Sequence, residues 1–206
     1  MRKNFLTYLC IGVVLLINSC ENKTDFENIV SNVPEEFNNS ISNTHRYISL
    51  ASKALNIESL EQGFSQIQIR IWLTSGLNDT SKLITLSKVT DDWQGKIFNF
   101  TSKAIEDTLM VENAIVSEIS PKSGWKSFIN SIIVHKILEL PDMDYLNKSF
   151  VISEGDVTTV EIATSNHYRL YSYNSPTNFE DNWEEAKRMA NILRMLEYEF
   201  GLDILR

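Results

Sequence analysis

The sequence predicts an α+β fold: a two-layer sandwich, with a mainly antiparallel sheet of about six strands and helices packed on one face. Three observations predict it. Strand-like segments come in runs, four and then two, instead of alternating singly with helices. The clearest strand, Gln66 to Leu73, alternates apolar and polar residues, which gives a sheet one core face. Each helical segment carries one apolar stripe able to cover such a face.

Taken in order, Thr44 to Leu55 reads as a helix, with Thr44 as N-cap and Tyr47, Ile48, Ala51, Ala54 and Leu55 on one side. In Gln66 to Leu73, Ile67, Ile69, Ile71 and Leu73 point one way, and Gln66, Gln68, Arg70 and Trp72 the other. Gly76 to Asp79 is a turn, Lys82 to Val89 a second strand, and Asp91-Asp92 the next break. Gly95 to Thr101 is a third strand, with Phe98 and Phe100 on one face, and Ala114 to Ile119 a fourth. Ser102 to Glu112 has no decisive pattern.

Ser123 is the expected N-cap of a helix whose buried stripe is Trp125, Phe128, Ile129, Ile132, Ile133 and Ile137, ended by Pro141. Asp142 to Gly155 is mostly loop. Val157 to Thr164 and Tyr168 to Tyr173 form a hairpin around Ser165-Asn166-His167, and a three-residue loop sets Ile162 opposite Leu170. Asp181 or Asn182 caps a last helix that buries Ala186, Met189, Ala190, Leu193, Leu196 and Phe200 and ends at Gly201.

The 206 residues suit one domain plus a leader. Residues 1–19 read as a signal peptide, 20–43 as a lipidated cysteine and tether, and 44–206 as a single domain. Arg2 and Lys3 form a positive start. The apolar stretch Phe5 to Ile17 is shorter than the ~20 residues a membrane span needs. The net charge is −8; without Arg2 and Lys3 it is 17 basic against 27 acidic residues. No run of four Lys or Arg exists to gather a phosphate backbone, so nucleic acid is not an expected partner.

Leu16-Ile17-Asn18-Ser19-Cys20 resembles the lipobox of bacterial lipoproteins. The resemblance implies cleavage before Cys20 and a diacylglycerol with palmitate-type chains on its sulfur. Asn18 departs from the small or hydroxyl residue usual there. Two or more acyl chains hold a protein firmly to a bilayer. The expected location is the cell envelope, outer membrane preferred, on the periplasmic side. Cys10 falls in the leader, so a mature domain has no thiol for catalysis, disulfides or zinc. Ile69-Arg70-Ile71-Trp72, Gly124-Trp125 and Tyr168 to Tyr173 resemble an uncharacterised group of Bacteroidota-type lipoproteins, which implies no activity. Asp107-Thr108-Leu109 resembles a short O-glycosylation acceptor of such envelope proteins.

Catalytic motifs are sparse. His45, His135 and His167 stand in no H-E-x-x-H or H-x-H pattern, so no metal site and no cofactor is expected. There is no G-x-S-x-G and no glycine-rich phosphate loop. Of the carboxylate pairs Glu35-Glu36, Asp91-Asp92, Asp142/Asp144 and Glu184-Glu185, Asp91-Asp92 reads as a turn, Glu184-Glu185 as a helix start, and Asp142/Asp144 lack the Gly and later Glu of a calcium loop. The favoured reading is a non-enzymatic, lipid-anchored binding module of immunity, inhibitor or assembly-accessory type, with an envelope protein or glycan as partner. The alternative is a small envelope hydrolase acting on glycan or peptide through paired carboxylates or a serine.

The candidate ligand-binding residues are Arg70 and Trp72, exposed on the strand face opposite Ile69 and Ile71. Arg169, Tyr171 and Tyr173 join them if Tyr168 and Leu170 face the core. Trp, Tyr and Arg are the types enriched where binding energy concentrates. Two other arrangements stay open: the Thr44 to Leu55 helix covers this face and buries Trp72, or Arg169 pairs with Glu161 across the hairpin.

Overall fold

The alternation at Ile67, Ile69 and Ile71 decides how the sheet faces. The computed structural model describes residues 39–75, 80–106, 108–146 and 155–204. Its elements run α1 (Asn39–Ala54), β1 (Ile67–Ser75), β2 (Thr80–Val89), β3 (Asp92–Ile105), β4 (Thr108–Ile119), α2 (Trp125–Val134), β5 (Asp156–Thr164), β6 (Tyr168–Asn174) and α3 (Glu184–Phe200). The strands form one six-stranded sheet, in the order β4-β3-β2-β1-β5-β6, with every pairing antiparallel. The α+β class read from the run of strands is the one observed.

Ile67, Ile69, Ile71, Ile84, Val160 and Ile162 lie on one face. Phe128, Ile129 and Ile132 of α2 and Met189, Leu193 and Leu196 of α3 close over them. Phe128 and Phe200 meet edge to face at 5.0 Å, with Trp125 beside both. Gly95 makes room for that indole: a Cβ there would lie 2.7 Å from the Trp125 ring. Ile129 and Leu193 are buried as expected, whereas Trp125, Ile133 and Phe200 are only half-buried.

The opposite face is covered too. Trp72, Leu83, Phe98, Phe100, Tyr168 and Leu170 form a second, smaller core under Ile48 and Ala51 of α1 and Leu60. Thus α2 and α3 share one face as expected, and α1 packs on the other. The reason is apolar area: a bare face would leave Trp72, Phe98 and Phe100 in water, and aromatic side chains have the most apolar surface to bury.

The β5–β6 turn is tighter than expected. Ala163 pairs with Tyr168, and the Thr164 N–H donates to the His167 carbonyl at 2.8 Å. Only Ser165 and Asn166 remain free, so Ile162 stands opposite Arg169, not Leu170. A one-residue slip turns every side chain over. Tyr168 and Leu170 go to the α1 face, and Arg169, Tyr171 and Tyr173 to the α2/α3 face.

The stretch Ser102 to Glu112 completes a long β3–β4 hairpin, whose register skips Glu112. α1 begins at Asn39, ahead of Thr44. α2 is capped by Gly124 at φ 81 instead of Ser123, whose N–H donates to Glu199 Oε2. It stops at Val134, because Lys136 turns the chain through φ 61. Trp183 stands at the N-cap of α3 in place of Asp181 or Asn182, and Gly201 ends the helix in the left-handed region at φ 66, as expected. No helix among the described residues is long and apolar enough to cross a membrane.

Candidate functional site

An open cavity lies at the end of the sheet where β1 finishes and β2 begins. On the α2/α3 face there, antiparallel register sets Thr158 level with Leu73, Leu73 with Lys82, Lys82 with Asn99 and Asn99 with Ile115. Residues level with one another share a face, so this row crosses five strands in a line. Its β5–β1–β2 end forms the floor of the cavity, which holds about 250 Å³. Leu193 of α3, Pro176 and Ile204 wall it. Thr74, Ser75, Thr80 and Asp156 add hydroxyls and one carboxylate.

The chain after α3 is fastened over the cavity at two points. Lys82 Nζ donates to the Asp203 carbonyl at 2.6 Å, and the Ile204 N–H donates to Glu197 Oε1 at 2.9 Å. The site therefore joins an aliphatic interior to a hydroxyl rim, with one ammonium and one carboxylate near its mouth. None of the residues named as its lining is aromatic.

The sequence-derived candidates do not form one surface. All five are buried, and they divide between the two faces. The solvated face expected for them is absent: α1 and the following loop cover Arg70 and Trp72, and the turned-over β6 carries Arg169, Tyr171 and Tyr173 inward. Of the arrangements left open, the covering helix is the one found.

Arg70 and Trp72 meet a residue the sequence reading missed as a site component, Glu161 of β5. Glu161 Oε2 accepts the Trp72 indole N–H at 2.7 Å, and Oε1 accepts the Tyr168 hydroxyl at 2.9 Å. Arg70 Nη1 lies 3.9 Å from Oε2; Nε donates to Gln68 Oε1 and Nη2 to the Glu58 carbonyl. Burial pushes the Glu161 carboxyl up, against the pull of Arg70 and the two donors. Desolvation likewise lowers Arg70, opposed by Glu161. The cluster is a closed internal network under α1.

On the other face, the Arg169 guanidinium donates to the carbonyls of Leu138 and Leu140 and lies over the Tyr171 ring at 5.0 Å. Tyr171 donates its hydroxyl to the Ile137 carbonyl at 2.6 Å. Asp142 accepts the N–H groups of Asp144 and Ser172, and burial raises its carboxyl to about 6. These contacts strap the 137–146 segment to β6.

The remaining candidates are scattered. Glu184 pairs with Arg188 on α3, His45 Nε2 lies 2.7 Å from Glu61 Oε1, and His135 is the C-cap of α2. Among the described residues no group of three or more His, Cys, Asp or Glu could hold a metal ion. Cys20 and Glu35-Glu36 lie outside the described residues. A signal for the open cavity did exist in the sequence: Lys82 and Thr80 interrupt the apolar face that Ile84 and Leu86 continue. No protein family, curated protein or solved structure matches this chain.

Proposed function

We propose that this chain is a lipid-anchored envelope protein whose domain is a non-enzymatic binding module for another protein. It takes one aliphatic side chain of that partner into the cavity at the sheet end. The anchor is Cys20, and the location is the periplasmic side of the outer membrane.

The size and lining of the cavity carry this reading. About 250 Å³ lies below the ~300–1,000 Å³ of pockets that enclose a whole small molecule. It suits one residue of a longer chain. Leu73, Leu193 and Ile204 favour an aliphatic group, while Thr80 and Ser75 can meet the peptide groups on either side of it. A sugar ring is better served by an aromatic platform.

Photocrosslinking tests the reading in the envelope. Benzoylphenylalanine at Thr80 of the full chain should give a protein adduct whose linked peptide carries an aliphatic residue at the crosslink. Ser75→Phe, which fills the cavity, should abolish that adduct. A glycan adduct, or cleavage of added envelope peptides or glycans that Asp156→Asn abolishes, would overturn it in favour of a glycan-binding or hydrolytic role. Cys20→Ala tests the anchor independently: the protein should leave the membrane fraction, and full retention without an acyl mass refutes lipidation.

A further inference from the structure

The two outer strands of the sheet are finished differently. The edge of β6 is covered: its Ser172 N–H donates to Asp142 Oδ2 at 2.8 Å, and its Asn174 N–H points at the Met143 sulfur at 3.3 Å. β4 pairs only with β3, and no other element among the described residues hydrogen-bonds to its outer edge.

An open edge is ordinarily guarded by Lys, Pro, short length, a bulge or a covering segment, because its free N–H and C=O groups template further pairing. β4 is twelve residues long and contains neither Lys nor Pro. Its single irregularity, Glu112, leaves Asn113 to Ile119 as an unbroken seven-residue run. That run also exposes one large apolar residue on each side of the sheet. Ile115 is 59% exposed, level with Asn99 on the α2/α3 face; Val116 is 50% exposed, level with Phe98 on the α1 face. A partner touching one face would cover only one of them. A strand laid alongside β4 brings side chains next to both.

We propose that Asn113 to Ile119 accepts an extended segment of another protein as a seventh strand, and that this segment alternates apolar and basic residues. The charges select that occupant. β4 carries Glu112 and Glu118 on either side of its apolar pair and no basic residue. Lys96 on β3 stands level with Glu118, while Glu112, skipped in the register, has no residue level with it. A second copy of this chain, net −8, fits less well. Antiparallel pairing centred on Ile115 sets Glu112 of each copy against Glu118 of the other, and like charges opposite one another are destabilising. Glu118 shares its face with Val116, so the basic residues of an alternating strand meet the Glu118 carboxylate while their stems lie along Val116, the apolar residues lie beside Ile115 on the other face, and backbone bonds along the run supply the attachment. This surface is independent of what fills the cavity at the sheet end.

The test uses the full chain and labelled synthetic nonapeptides read by fluorescence anisotropy. A peptide alternating Lys and Val should bind saturably. One alternating Glu and Val, and a Lys/Val peptide N-methylated at every second residue on the edge that would face β4, should each bind at least tenfold more weakly. Ile115→Pro and Val116→Pro are both made, since neighbouring N–H groups point to opposite sides of a strand. The variant that keeps the wild-type melting temperature has lost only an outward N–H, and it too should bind at least tenfold more weakly. Equal binding of the N-methylated peptide, or no saturable binding of the Lys/Val peptide, overturns the proposal. So does a concentration-dependent dimer in sedimentation that Ile115→Lys abolishes, because the edge would then belong to a second copy.

Discussion

Glu161 holds the indole N–H of Trp72 at 2.7 Å on the sheet face beneath α1. It is also level with Arg70 across the β1–β5 ladder, 3.9 Å from the guanidinium. Removing one member of a buried ion pair strands the other, at a cost of about 3–5 kcal/mol. Glu161→Ala should therefore lower the unfolding free energy by about that amount, because Trp72 and Tyr168 lose their acceptor and Arg70 loses its opposite charge. Arg70→Met strands the Glu161 charge and should cost a similar amount. Combined with Glu161→Ala, the loss should be well below the sum of the single losses, because neither charge is then left buried without its partner. Urea unfolding of the four proteins checks this; simple additivity would mean the two charges do not interact.

Asp142 gives the stability a pH dependence of known sign. Its carboxyl titrates near 6 in the folded chain, raised chiefly by burial, against the usual carboxylate range near 4 when unfolded. Between those values the folded state binds more protons than the unfolded state, so stability falls as pH rises. The contribution is fully present below about pH 4 and lost above about pH 6, and it amounts to at most about 3 kcal/mol. Asp142→Asn cannot titrate. The stability of wild type minus that of Asp142→Asn should accordingly fall between pH 4 and pH 6.5. A difference that stays flat or rises across that range would be the opposite of this expectation.

Much of the fold was legible because its signals are local. The period-two run at Ile67 to Leu73 and the period-3.6 stripe at Phe128, Ile129 and Ile132 each specify an element and its buried side without reference to the rest of the chain. The candidate site was not legible, because it depends on register. Whether Arg169 faces in or out turned on one residue of turn length at Ser165-Asn166. Glu161 becomes the partner of Arg70 only once β1 is known to lie beside β5, a contact across about ninety residues of chain that no local pattern encodes. Trp72 followed its strand's alternation faithfully. What alternation could not say is that a helix would cover the second face.

The aromatic group under α2 and α3 should show graded costs. Phe128 is fully buried, at the centre of contacts with Trp125 and Phe200. Phe128→Ala should cost about 3–5 kcal/mol, the usual range for emptying a buried aromatic site. Trp125 is half-buried and has less area to lose. Trp125→Ala should cost clearly less than Phe128→Ala, even though Trp is the larger residue. Chemical denaturation of both variants decides the order, and a reversed order would show that Trp125 carries the packing.

Arg169 should control access to the second edge of the sheet. Its guanidinium donates to the carbonyls of Leu138 and Leu140, and so holds in place the segment whose Asp142 and Met143 cover β6. Arg169→Ala leaves two carbonyls in a dry site without donors, a loss of about 2–4 kcal/mol for charged hydrogen bonds. Much of that loss should appear as local opening, since the segment can lift while α2, α3 and the central strands stay packed. The amides of Ser172 and Asn174 should then exchange with deuterium much faster than in wild type, while those of Ile69 and Ile71 slow or hasten only with global stability. An uncovered β6 is a second open edge, so the variant should also self-associate at concentrations where the wild type does not. Arg169→Lys should restore only part of the protection, because a single ammonium cannot span both carbonyls as a guanidinium fork does. Uniform acceleration of exchange across the sheet would place Arg169 in the global core instead of in the strap over β6.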